Sequence, residues 1–153
     1  ALAVLRGRGR DVDLVIAGFQ APGERDRLRA LAHELGVGDA VEMLGHVSAD
    51  ALAERYARSV TLALSTTEGF GLTPVEAILS DGRVAAVDIP AYRNTVDGLA
   101  SFASDDSPEA VADAVAVALE RPSEAFAVTQ LAERFSVEAC AASLRAAYEG
   151  ALG

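Results

Sequence analysis

The chain has 153 residues, 51% of them apolar, which suits one domain with a real hydrophobic core. It carries 13 basic against 23 acidic residues, a net charge of −10, and no lysine, which argues against a nucleic-acid backbone as partner because such binding relies on clustered Lys and Arg. No apolar run is long enough to span a membrane, no secretory signal pattern is present, and the lone Cys140 excludes an internal disulfide, which suits a reducing compartment. Because it begins at Ala1 rather than Met, the chain reads as a fragment.

In order, Ala1 to Leu5 reads as a short helix closed by the basic turn Arg6 to Arg10. The glycines of that turn are not a dinucleotide fingerprint, which must follow a strand and open a helix. Val12 to Ala17 is a nearly continuous apolar run of the kind buried on both faces of a parallel sheet. Pro22 to Leu35 reads as a helix with Leu28, Leu31, Ala32 and Leu35 inward. Val41 to Leu44 is the next strand, followed by His46 in a loop where it is either solvated or near a ligand crevice. Ser48 is placed to cap a helix over Ala49 to Arg58, with Leu52 and Tyr56 inward.

Val60 to Leu64 is the third strand, and a helix ending at Leu79 follows its loop. After the turn Ser80-Asp81-Gly82 come a fourth strand, Val84 to Val87, and a short helix, Pro90 to Val96, with Pro90 at its first position. Leu99 to Ala103 gives a fifth strand. Asp105 to Pro108 starts a helix whose inward face is Val111, Val115, Ala118 and Leu119. Two more helices cover Ala125 to Arg134 and Ser136 to Leu152, the last with Val137, Cys140, Ala141, Leu144, Tyr148 and Ala151 on one face, Cys140 as a small core residue. Alternating strands and helices predict an α/β fold, a parallel sheet with helices on both faces.

The chemistry concentrates between the third strand and its helix, in Thr66-Thr67-Glu68-Gly69-Phe70-Gly71-Leu72-Thr73-Pro74-Val75-Glu76-Ala77. Gly69 and Gly71 allow close backbone approach to a ligand, and the following helix start favours negative charge. Two carboxylates, Glu68 and Glu76, bracket this turn, so a ligand bearing both phosphate and sugar hydroxyls fits better than bare phosphate. Against that stands a plain capping box, with Thr73 as cap, Pro74 first and Glu76 third, which would explain Glu76 but neither Glu68 nor the glycines. The two histidines, His33 and His46, stand far apart and no paired-Cys spacing exists, so no metal site is visible. An acidic residue ending a strand at Asp88 raises a receiver domain, but that fold needs an acidic cluster after its first strand and an opposing lysine.

Glu68 and Glu76, with seven residues between them within Glu-Gly-Phe-Gly-Leu-Thr-Pro-Val-Glu-Ala, resemble the Glu-x7-Glu motif of retaining glycosyltransferases of family 4 (glycosyl transferases group 1). Leu14 to Gly18, Val41 to Val47 and Asp88 to Arg93 resemble neighbouring segments of the same family. The resemblance implies a GT-B enzyme, of which residues 1–153 are the Rossmann-like C-terminal, donor-binding domain, lacking its first strand. It implies a nucleotide-diphosphate sugar as donor, transfer with retention to an acceptor hydroxyl, and no cofactor or bound metal. Glu68 would contact the transferred sugar as the catalytic carboxylate, and Glu76 the ribose. Backbone groups of Gly69, Phe70, Gly71 and Leu72, with the Thr73 hydroxyl, would hold sugar hydroxyls and diphosphate, and His46 would lie beside the base. The Phe70 side chain is assigned no role, and Arg93 is as well read as a surface residue. The family's Arg/Lys pair for the diphosphate would lie before Ala1, and the acceptor site in a missing N-terminal domain. A cytoplasmic protein is implied, with the inner membrane surface reached only through that domain. The alternative is a degenerate module that binds nucleotide or a partner without transfer. Without the first strand, Val12 to Ala17 and Val60 to Leu64 should either pair directly or leave a marginal, association-prone chain.

Overall fold

The computed structural model describes residues 1–122 and 125–152. Its elements run α1 (Leu2–Gly7), β1 (Leu14–Ile16), α2 (Glu24–Glu34), β2 (Val41–Met43), α3 (Ala49–Arg58), β3 (Val60–Ala63), α4 (Leu72–Leu79), β4 (Arg83–Val87), α5 (Pro90–Val96), β5 (Ser101–Ala103), α6 (Pro108–Glu120), α7 (Ala125–Arg134) and α8 (Val137–Leu152). Ladders among the described residues are parallel, as the alternation predicts. Ser48 accepts from the Ala51 N–H at 3.3 Å and Ser107 from the Ala110 N–H at 3.2 Å, so both side-chain caps start their helices.

β4 is the centre of the molecule. Its backbone pairs with β3 on one side (Thr61 opposite Val84) and β5 on the other (Ala86 opposite Phe102). Successive side chains point to opposite faces, so Val84 and Ala86 feed one core and Ala85 the other. The first core closes with Val75 and Ile78 of α4, Tyr92 and Val96 of α5, and Leu131 of α7. The second closes with Leu5 of α1 and Val111, Ala112 and Val115 of α6. Helices thus cover both faces of β3–β4–β5. The basic turn after α1 is an exposed ion-pair clasp on α6, with Arg8 2.5 Å from Asp113 and Arg10 2.6 Å from Glu120.

Gly82 marks the tightest approach. A Cβ there would lie 2.3 Å from the Tyr56 carbonyl oxygen and 2.8 Å from that of Ala77. Only glycine lets the end of α3, the end of α4 and the start of β4 meet at this point.

Two helix-face expectations fail, and of the two outcomes expected for β1 and β3 the direct pairing does not occur. The strands form two sheets, β1–β2 and β3–β4–β5, and no ladder joins β1 to β3 among the described residues. The direct pairing is therefore absent, and β3 is an edge strand with β4 central. On α2, Ala32 is buried but Leu31 and Leu35 are exposed, because the short β1–β2 sheet beneath offers little surface to cover them. On α8, Leu144 and Tyr148 are 56% and 69% exposed, and Val137 and Cys140 are exposed too. α7 already occupies the surface of α4, so α8 packs on α7 as an outer layer rather than on the core.

Candidate functional site

After Ala63 the chain leaves the core, and residues 64–70 are all exposed before Gly71 turns back into the interior. Gly71 has φ 81° and ψ 62°, the left-handed region, and is the N-cap of α4. A Cβ at Gly71 would lie 2.7 Å from both Cδ1 and Cε1 of Tyr92. Glycine is thus required twice, by backbone conformation and by the ring beneath it. Phe70 sets its ring edge-on to Phe135, centroids 5.1 Å apart, which ties the loop to the α7–α8 junction.

The left-handed turn starts α4 at Leu72, so Thr73 is its second residue, Pro74 its third and Glu76 its fifth. The capping-box reading is overturned, since the cap is Gly71 and no side chain bonds it. Pro74 has no N–H, so the uncapped donors at this helix start come from Leu72 and Thr73.

Glu68, Phe70, Gly71, Leu72, Thr73, Pro74 and Tyr92 line a cavity of about 230 Å³. Five of the residues chosen from sequence therefore converge: Glu68, Phe70, Gly71, Leu72 and Thr73. Gly69 belongs to the same loop but does not line the cavity. Glu76 is exposed on α4 and also outside the lining. His46 is exposed between β2 and α3, again outside it.

Two tyrosines register the charge of these carboxylates. Burial pushes the Tyr92 phenol up, the Glu68 charge adds to this, and a backbone hydrogen bond from Ser65 opposes it. Burial likewise raises the Tyr56 phenol on α3, and the Glu76 charge adds to it. Both phenols stay protonated at neutral pH. Arg93 has a structural job: it meets Asp88 and Asp97, each at 2.7 Å, and lies 3.9 Å over the Phe102 ring. Hydrogen bonds from Arg93 hold the Asp88 carboxyl below its usual range. Among the described residues no cluster of His, Cys, Asp and Glu could hold a metal ion, and no helix is long and apolar enough to cross a membrane.

Sequence reasoning missed Tyr92 and Pro74 as parts of the cavity. Pro74 was legible as a neighbour of the motif, but Tyr92 reaches the loop only through the β4–α5 crossover, which no local pattern encodes.

The family described as Glycosyl transferases group 1 matches residues 1–139. The chain belongs to that family. It is 34% identical over 139 residues to the lipopolysaccharide core biosynthesis mannosyltransferase LpcC of Rhizobium leguminosarum bv. viciae, covering 84% of this chain and 38% of that protein. Among solved structures, sucrose-phosphate synthase from Thermosynechococcus elongatus superposes with TM-score 0.79 at 23% identity, covering 99% of this chain and 41% of the other. The pneumococcal O-GlcNAc transferase GtfA, solved with UDP and GlcNAc, superposes with TM-score 0.64 at 25% identity, covering 99% and 31%. The fold is that of a GT-B glycosyltransferase domain, and the chemistry of the family is glycosyl transfer. The chain spans between 13% and 38% of the curated relatives it matches.

Proposed function

We propose that this chain is the donor-binding domain of a retaining, metal-independent glycosyltransferase of family 4, acting on a nucleotide-diphosphate sugar. The observation that carries the reading is the loop itself: a carboxylate, Glu68, opens into the same cavity as the uncapped start of α4. The helix start favours the negative diphosphate, and the carboxylate accepts hydrogen bonds from hydroxyls of the sugar to be transferred. Glu76, exposed and free of the capping role, is assigned the ribose hydroxyls, the Gly69 backbone a share of the diphosphate, and His46 the side of the base. Stabilising the departing diphosphate would supply most of the rate, with no cofactor required. An N-terminal domain would bring the acceptor hydroxyl, and the protein would work in the cytoplasm, at the inner membrane surface if that domain binds there. UDP and GlcNAc in the pneumococcal GtfA structure support a nucleotide sugar as donor class.

One observation favours the second reading, a module that binds nucleotide or a partner without transfer. The cavity lining has no cationic side chain, and the chain has no lysine to balance a diphosphate. The deciding experiment incubates the protein carrying this domain together with its acceptor-binding domain with nucleotide-α-sugars and an acceptor alcohol, and follows the anomeric protons by NMR. Retention predicts an α-linked first product. A β-linked product overturns the retaining assignment, and tight nucleotide binding without turnover favours the module.

A further inference from the structure

Phe19, in the loop between β1 and α2, is 92% exposed, more than any other large apolar side chain among the described residues. A lone exposed apolar residue is ordinary on a protein surface, but this ring is held out on a fastened loop. Gly18 and Gln20 on either side are half-buried, so the chain dips in, lifts Phe19 and dips in again. Gly18 has φ 114°, a conformation that suits glycine and turns the chain just before the ring. Its N–H donates to the Gly45 carbonyl at 3.0 Å. The Gln20 side-chain amide donates to the carbonyls of Gly18, at 2.9 Å, and Leu44, at 3.4 Å. Arg25, in the first turn of α2, donates to the Met43 carbonyl. The loop after β1 is thus stitched to the end of β2, and Phe19 and the exposed His46 each stand one residue beyond the Gly18–Gly45 bond. Both loops follow the carboxyl ends of parallel strands, where open α/β sheets bind ligands, as the Glu68 loop follows that of β3.

We propose that Phe19 is the platform on which the nucleobase of the donor stacks. This rests on the donor-binding reading above and extends it to a residue outside the cavity, on the β1–β2 half. The base is the one flat aromatic part of a nucleotide sugar, and it stacks on an aromatic face whatever its hydrogen-bonding edge. A ring already held in place loses little freedom when the base arrives, so more of the contact shows as affinity. Phe19 therefore strengthens binding of any nucleoside diphosphate without choosing among bases. That choice falls to polar groups facing the edge of the base, and the neighbouring His46 imidazole, which can donate and accept, is one such group. The base takes no part in bond breaking, so the stack is equally strong in the bound donor and in the transition state. It acts on donor affinity and leaves turnover alone.

The test measures affinity for UDP, GDP and ADP by calorimetry on the protein carrying this domain, as parent, Phe19→Ala and Phe19→Tyr. Neither substitution threatens the fold, since a ring so exposed packs on little. Phe19→Ala should weaken each nucleotide that the parent binds by about tenfold, as expected for one lost base–aromatic stack. Phe19→Tyr keeps the aromatic face and should stay within about twofold of the parent. With the intact donor, Phe19→Ala should raise KM by about tenfold and hold kcat within about twofold. Protons of the bound base should shift upfield in NMR with the parent and Phe19→Tyr, and lose that shift with Phe19→Ala. Equal affinity of Phe19→Ala and the parent overturns the platform, as does a tyrosine variant no better than the alanine. A parent that binds none of the three nucleotides sinks the donor-binding reading and the platform with it. A parent that binds, beside an alanine variant that binds as well, sinks the platform alone.

Discussion

The two sheets differ in how their strands are supported. Around β3–β4–β5, strand side chains meet helices on both faces, and Val84, Ala85 and Ala86 are at most 1% exposed. Around β1–β2, the buried apolar residues are Ala32, Val37 and Ala40, while Val15 at the middle of β1 is 41% exposed. Apolar burial contributes roughly 25 cal/mol per Å², so small side chains in a three-residue ladder contribute little. The candidate site follows the better-supported half: Glu68 and α4 hang from β3, and Tyr92 stands on α5. The lesson is that the site's geometry rests on β4 and its two cores, and owes little to β1–β2.

The largest break in that comparison comes from a buried charge. Ala86→Asp, at a position with no exposure, should destabilise by about 4 kcal/mol or more, because an unpaired carboxylate in a core is rarely tolerated. Val15→Asp on β1 should cost under about 1 kcal/mol. Denaturant midpoints of the two variants measure the contrast, and similar losses would mean that the β1–β2 half is integral to the core.

Next comes a pair of glycines. Gly82→Ala forces a methyl against two backbone oxygens and should cost about 3 kcal/mol, since backbone cannot step aside as a flexible side chain can. Gly45→Ala, with open space around its position at the end of the β2 half, should change stability by less than about 0.5 kcal/mol. Chemical unfolding of both variants checks this.

The unpaired flanks of β1 and β3 sharpen the comparison differently. Each has a ladder on one side, and exposed strand edges recruit other chains. The 153-residue chain should therefore associate with rising concentration in sedimentation velocity. Val15→Pro should reduce that association while barely moving the melting temperature. A clean monomer of the parent across the same range would contradict the expectation.

The smallest effect is in pH. Arg93 depresses the folded Asp88 carboxyl below its ordinary 3.8, so its contribution is present above that pH and fades as pH falls through the lower folded value. Asp88→Asn should remove this part of the acid dependence, read as a flatter stability profile below about pH 4. An unchanged profile would mean that the exposed pair adds nothing.

Much of this was legible beforehand because the deciding signals are local. The order of elements, the Ser48 and Ser107 starts and the glycine loop after β3 all follow from periodicity and turn chemistry. What escaped depends on non-local contact. The helical face of α8 is real as a pattern, yet α7 separates it from the core, so Cys140 and Tyr148 face outward. The capping box around Thr73 was locally sound, and lost to a left-handed Gly71 that the Tyr92 ring makes obligatory. Glu68, Gly71 and Thr73 could be chosen from sequence; Tyr92 could not, being joined to them only through the crossover from β4.

The most direct test of the proposed site is calorimetric titration of Glu76→Gln and Glu68→Gln with nucleoside diphosphates, alongside their transfer rates. Glu76→Gln should weaken free nucleotide by about 1–3 kcal/mol, as expected for lost hydrogen bonds to a charged group. Glu68→Gln should leave free nucleotide binding nearly intact and lower turnover with the intact donor. Equal, unimpaired nucleotide binding by both variants would contradict the division of labour between the two glutamates.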